Sequence, residues 1–249
     1  MAVPSQTSPT VVLVHGAWAD ASSWQRVIPI LQSTGIAVVA VQNPTTSLAA
    51  DVAVTRQAID LTEGPVVLVG HSWGGTVITE AGNASNVKAL VYVAAFAPDV
   101  GQSTGDQVQA HDAPPGLSTV VPYGENFLKM STEGWIENVA QDLPKDEARV
   151  LATIQPPLAV TTFGDKISNA AWKTCPSWYV VSLKDRAVNV ALQRELAARI
   201  KAKTTELDSS HVSLLSQPAA VANVILDAVA AVQSLQSSRA TCCDACARS

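Results

Sequence analysis

The chain has 249 residues, 47% of them hydrophobic, which is enough to bury one large core. Its net charge of −5 is dispersed, with no basic run or arginine-rich helix, so nucleic acid is excluded as an expected partner. No apolar run is read as long enough to cross a bilayer, and MAVPSQTSPT lacks the basic start and apolar centre of a signal peptide, so no membrane association and a cytoplasmic location are expected.

The first predicted strand is Thr10–His15. A helix capped by Ser22 or Ser23 follows, runs to about Ser33 and stops at Gly35; Pro29 kinks it or shifts its start. A second strand, Ile36–Gln42, leads to a helix capped by Ser47, with Leu48, Val52 and Ile59 on one face. Pro65–Gly70 is the third strand, Thr76–Ala81 begins the next helix, and Ala89–Ala94 is the fourth strand. Several of these strands are near-continuous apolar runs, as expected of parallel strands covered on both faces.

The alternation breaks between Ala97 and Lys173. This stretch carries Pro98, Pro114-Pro115, Pro122, Pro144 and Pro156-Pro157, with helical pieces expected at Gly124–Met130, Glu133–Gln141 and Lys145–Thr153. Alternation then resumes with a strand at Ser177–Ser182, a helix at Val190–Ile200, a strand at Thr204–Asp208 and a last helix at Pro218–Leu235. The fold class is α/β: a doubly wound, mostly parallel sheet of about six strands flanked by helices, with an inserted, mainly helical cap. The expected organisation is a leader at 1–9, a core at 10–96 and 174–235, a cap at 97–173 over the carboxyl ends of the strands, and a disordered tail at 236–249. Cys243 and Cys246 form a C-x-x-C in that tail beside Cys242, but without a second pair or histidines they are read as free thiols, and no metal is expected. Cys175 stands alone.

The chemistry begins at VVLVGHSWGGT, Val66 to Thr76. Gly70-His71-Ser72-Trp73-Gly74 fits G-x-S-x-G between a strand and a helix, the context in which a sharp turn lifts a serine hydroxyl above a sheet edge. Such a serine needs a base. Of the four histidines, His71 adjoins Ser72, His15 opens a glycine turn, and His111 lies in the proline-rich cap; His211 follows the last strand at the sheet's carboxyl edge and is the candidate base. The imidazole needs an orienting carboxylate. Asp185, after Ser177–Ser182, is preferred to Asp99, while Asp208 is too near His211 along the chain. An oxyanion hole is expected from the backbone N–H groups of Trp73 and Ala17, the latter freed by a tight turn at Gly16.

Together, VVLVHGAW, GHSWGG, the Trp172…Pro176-Ser177-Trp178-Tyr179 approach to a strand, LKDRAV with Gln193 beyond it, and SSHVSLLSQP give the chain its likeness. From about Thr10 to Val232 it resembles the α/β-hydrolases, and within them small bacterial carboxylesterases, plant methylesterases and plant hydroxynitrile lyases. The lyases it resembles carry threonine in place of Gly16 and lysine directly after the histidine, where this chain has Val212. The resemblance therefore implies hydrolysis of small to medium apolar esters through an acyl-enzyme, with no cofactor and a small-molecule ester as partner. Trp18, Trp73, Phe127, Met130 and Trp135, with Gly16 and Val212, are the candidate substrate contacts. A lactonase, amidase or perhydrolase with the same triad, or a slow-turnover ligand receptor, are the alternatives, and monomer and homodimer both stay open.

Overall fold

A computed structural model describes residues 8–246, with side chains described to 237. Strand β1 (Thr10–Val14) is followed by a 3-10 turn at Ala21–Trp24. Its cap is Asp20, whose carboxylate accepts the Ser22 N–H at 2.7 Å. The acceptor thus sits ahead of Ser22 and Ser23, because a carboxylate serves as a cap as well as a hydroxyl does. Helix α1 (Ile28–Ser33) starts with Pro29 in its first turn, so the proline moves the start and makes no kink. Next come β2 (Ala37–Val41) and α2 (Leu48–Asp60), capped by Ser47 through the Ala50 N–H. Then follow β3 (Val66–His71), α3 (Trp73–Ala81) and β4 (Val87–Val93).

The stretch after β4 holds α4 (Thr104–Gln109), β5 (Val120–Pro122), β6 (Phe127–Met130), and α5 (Thr132–Gly134), which passes into a π-helical turn at Trp135–Val139. Helix α6 (Lys145–Ile154) and β7 (Leu158–Ala159) complete it. The chain then builds β8 (Ser177–Ser182), α7 (Val190–Arg199), β9 (Lys203–Leu207), α8 (Ser213–Ser216) and α9 (Pro218–Cys246).

All six predicted core strands occur, with ends moved by at most two residues, and they form a parallel sheet in the order β2-β1-β3-β4-β8-β9. Alternate residues of β3 and β4 feed two apolar layers. Val67, Val69 and Val91 pack with Trp24, Leu31 and Ile225 on one face, whereas Leu68, Leu90 and Tyr92 pack with Ile59, Ile78 and Leu196 on the other. Because every core strand is parallel, β3, β8 and β9 deliver the loops after them to the same edge.

Two features differ from the sequence reading. The segment expected to be mainly helical contains an antiparallel sheet, β5-β6-β7, and the expected helix Gly124–Met130 is in part strand β6. These strands are too short for an alternating pattern to be read, and β6 pairs with β7 across Phe127 and Ala159, a non-local contact. The last helix also runs past Leu235 to Cys246, and its Pro218–Ser237 portion is long and apolar enough to cross a bilayer by length and composition, contrary to the reading of the sequence. That apolarity has a local cause: Val221, Ile225, Val229 and Val232 are buried against the sheet. Residues 1–7 of the expected leader and the side chains of Cys242, Cys243 and Cys246 lie outside what is described.

Helix α3 approaches the sheet through glycines. A Cβ on Gly75 would stand 2.2 Å from the Phe96 carbonyl oxygen, a backbone atom that cannot swing aside. Gly75→Ala should therefore destabilise the fold by about 2 kcal/mol or more, as overpacking of rigid interiors does, seen as a lower urea midpoint with unchanged m-value.

Candidate active site

Ser72 caps α3 at φ 53°, ψ −120°, a left-handed conformation that a side chain rarely adopts. It is held on both sides: its N–H donates to the Val93 carbonyl at 3.1 Å and its carbonyl accepts the Phe96 N–H at 3.2 Å. The flanking glycines are obligatory, since a Cβ on Gly70 would lie 2.5 Å from the Gly74 carbonyl oxygen, and one on Gly74 would lie 2.6 Å from that of Val14. Trp73 is the first residue of α3, so its N–H has no acceptor inside the helix.

His211 stands in the loop after β9, and its Nδ1 is 2.7 Å from Asp185 Oδ2. A carboxylate only accepts, so Nδ1 carries a proton, and in the neutral imidazole Nε2 keeps its lone pair. Asp185 is saturated: Oδ1 accepts the N–H groups of Ala187 and Val188, each at 2.8 Å, and Oδ2 accepts Gln193 Nε2 at 2.8 Å besides His211. Gln193 is locked in turn by the Ser182 N–H and the Val188 carbonyl. The other acids are occupied at the surface, Asp99 with Lys173 at 2.5 Å and Asp208 with Lys184 at 2.8 Å.

The remaining histidines serve elsewhere. His15 Nδ1 donates to the Gly16 carbonyl and Nε2 accepts the Asn43 N–H, joining the loops after β1 and β2. His111 is 2.9 Å from Glu195. His71 donates from Nε2 to the His211 carbonyl at 3.0 Å, and the two rings stand 4.6 Å apart. Burial lowers the pKa of both His15 and His71, with the charge of His211 further lowering that of His71, so both rings stay neutral.

Ser72 and His211 open into one cavity, together with Ala17, Trp18, Met130 and Trp135. Its other walls are Phe96, Val108, Leu117, Val139 and Phe163, with Gly116, Ala187 and Val188, so no charged side chain lines it apart from an ionised His211. Trp18, at φ 55°, donates its indole N–H to the Leu128 carbonyl of β6 and so ties the loop after β1 to the inserted segment. A larger cleft, lined by Gly64, Lys88, Cys175 and Val232, lies at the amino ends of the strands, away from Ser72 and His211.

Four expected contacts lie elsewhere. Residues 127 and 130 share a face on a helix but take opposite faces of a strand, and only Met130 reaches the cavity; Phe127 does not line it. The Trp73 side chain is fully buried behind Phe163, with ring centroids 5.6 Å apart. Gly16 lies beneath Ser72, where a Cβ would be 2.9 Å from Ser72 Cβ and 3.1 Å from His71 Nδ1. Val212 lines a smaller adjoining cavity that shares Trp18 and Trp135 with the first. Phe163 is the main wall residue the sequence did not reveal: it meets Trp18, Trp73 and Phe96 within 6.5 Å from a stretch with no readable period. Ala187 and Val188 could have been found from their place just after Asp185.

Comparison with known proteins bears on the fold and the family. The model of the Alpha/beta hydrolase family matches residues 11–224. A probable hydrolase from Phoma sp. is 25% identical over 89% of this chain and 98% of its own length. An alpha-hydroxynitrile lyase from Arabidopsis thaliana is 24% identical over 83% of this chain and 92% of its own. Among solved structures, a pyrethroid hydrolase from Sphingobium faniae JZ-2 superposes with a TM-score of 0.77 at 22% identity, covering 90% of this chain and 98% of that one, a likeness of fold.

His71 bears on stability as well as geometry. The unfolded chain protonates this ring below a pH of about 6.5, whereas the folded chain refuses the proton, so stability falls as pH drops through that value. In His71→Gln, whose amide can still donate to the His211 carbonyl, Tm should fall less than in the parent between pH 7.5 and 5.0.

Proposed function

We propose that this chain, which belongs to the α/β-hydrolase family, is a serine carboxylic ester hydrolase acting on small to medium apolar esters. The observation that carries the reading is the 2.7 Å His211–Asp185 pair, with Asp185 saturated by donors, opening into the same cavity as a strained Ser72. Ser72 Oγ attacks the ester carbonyl as His211 Nε2 takes its proton. The carbonyl oxygen, now negative, is received by the N–H groups of Ala17 and Trp73, in a site where excluded water makes such bonds strong. His211 returns the proton to the departing alcohol, leaving Ser72 acylated. It then deprotonates a water that attacks the acyl carbon, and the acid leaves. Asp185 keeps the imidazole in the tautomer that can accept at Nε2 and stabilises it when charged.

The apolar wall supports a neutral ester, because a carboxylate-bearing substrate would enter with no cation to pair it. The crowding at Gly16 speaks against cyanohydrin cleavage: the threonine of the lyases it resembles has no room above His71 Nδ1 and Ser72 Cβ.

A fluorophosphonate should label the parent at Ser72 and leave Ser72→Ala unlabelled, with ester turnover in that variant down by orders of magnitude. Asp185→Asn should lower kcat by about 10⁴, the cost of holding the imidazole in the wrong tautomer. In a panel of p-nitrophenyl esters, neutral acyl groups should be turned over at least about tenfold faster than those ending in a carboxylate. Full activity in Ser72→Ala would end the reading.

A further inference from the structure

Asp51 is an interior carboxylate for which the reaction above has no use. It lies on α2 with no exposed surface. Its Oδ2 accepts the indole N–H of Trp73 at 2.8 Å, and its Oδ1 accepts the backbone N–H of Thr45 at 2.8 Å. The charged groups on the elements packed around it are engaged elsewhere. Arg56 of α2 is 3.7 Å from Glu80 of α3, and Asp165 accepts the Leu48 N–H at 2.9 Å. His15, beside the same loop, is held neutral by burial.

Both donors lead to the site. Trp73 directly follows Ser72, supplies the proposed oxyanion N–H, and backs Phe163 in the cavity wall. Thr45 is held at φ 56°. Its hydroxyl is 2.8 Å from the Pro157 carbonyl, and its own carbonyl accepts the Ala159 N–H of β7 at 3.0 Å. One carboxylate therefore clamps the residue beside the nucleophile and a strand of the inserted segment.

We propose that Asp51 is a positioning residue: by accepting from Trp73 and Thr45 together, it holds the Trp73 backbone N–H and Phe163 where attack by Ser72 needs them. The inference rests on the reading of Ser72 as nucleophile. Two donors facing two oxygens require a strong acceptor on each, which the ionised carboxylate supplies. Protonation turns one oxygen into a hydroxyl that accepts only weakly, and asparagine puts there an amide nitrogen that does not accept at all. Burial pushes the Asp51 carboxyl up to about 6, so the clamp is complete above that pH and opens below it.

The test compares Asp51→Asn, Trp73→Phe and the double variant with the parent, in ester turnover and in the rate of fluorophosphonate labelling. Asp51→Asn should lower kcat about tenfold, less than the loss of an oxyanion donor outright, with KM within about twofold. Below pH 6 the parent's kcat should fall toward that of Asp51→Asn, so that the gap between the two narrows as Asp51 takes its proton. In the Trp73→Phe background, adding Asp51→Asn should cost less than twofold, because the partner is already gone. Parent kcat in Asp51→Asn, even with a lowered Tm, or a gap that does not narrow below pH 6, would overturn the inference and leave only a structural role, as would penalties that multiply in the double variant. If the parent neither turns over esters nor labels at Ser72, the nucleophile reading falls first and this inference with it.

Discussion

The left-handed backbone at Ser72 is the constraint on which the rest depends. Such a conformation costs on the order of 1–3 kcal/mol and persists only where the surroundings over-determine it. Here they do so through hydrogen bonds to Val93 and Phe96, and through a helix that comes close enough only because Gly70, Gly74 and Gly75 lack side chains. Those contacts reach Val14 on β1 and Phe96 after β4, so the elbow exists only if β3 runs between β1 and β4 in register. Sheet order, glycine spacing and serine geometry are one condition seen at three scales.

The polar groups around the elbow are arranged so that one charge can form. Asp185 spends its lone pairs on four N–H donors, so the proton on His211 Nδ1 is held and Nε2 is left free. His71 sits against His211 and stays neutral, because burial and the neighbouring ring both disfavour its cation. Beyond these groups the cavity is aliphatic and aromatic, and a charge separated there meets little water to screen it.

The core strands were readable because a parallel strand buried on both faces must be apolar at successive positions, and runs such as Pro65–Gly70 have no other economical explanation. That Ser72, His211 and Asp185 would lie at one edge of the sheet was readable for a related reason: parallel strands carry the loops after them to one edge, so position relative to a strand end stands in for position in space. The inserted segment offers no such shortcut. Strands of two to four residues carry too few positions for a period, and with β6 read as a helix, Phe127 and Met130 fell on one face instead of two. The last helix misled for the opposite reason, since a long apolar period serves a helix against a sheet as well as one in a bilayer.

The amino-acid order by itself determined the α/β alternation, the strand–serine–helix turn and the place of Asp185 and His211 just after strand ends, because local sterics and a period of two or 3.6 act over neighbouring residues. Only the tertiary structure decided which distant groups meet: Trp18 with the Leu128 carbonyl, Phe163 with Trp73, Gln193 with Asp185, and Asp51 with the indole beside Ser72. Those pairings depend on where separate segments lie once both faces of the sheet are covered, and no spacing along the chain encodes that. The elbow is written along the chain as a pattern of glycines, whereas the carboxylate of Asp51 meets Trp73 only in the folded chain.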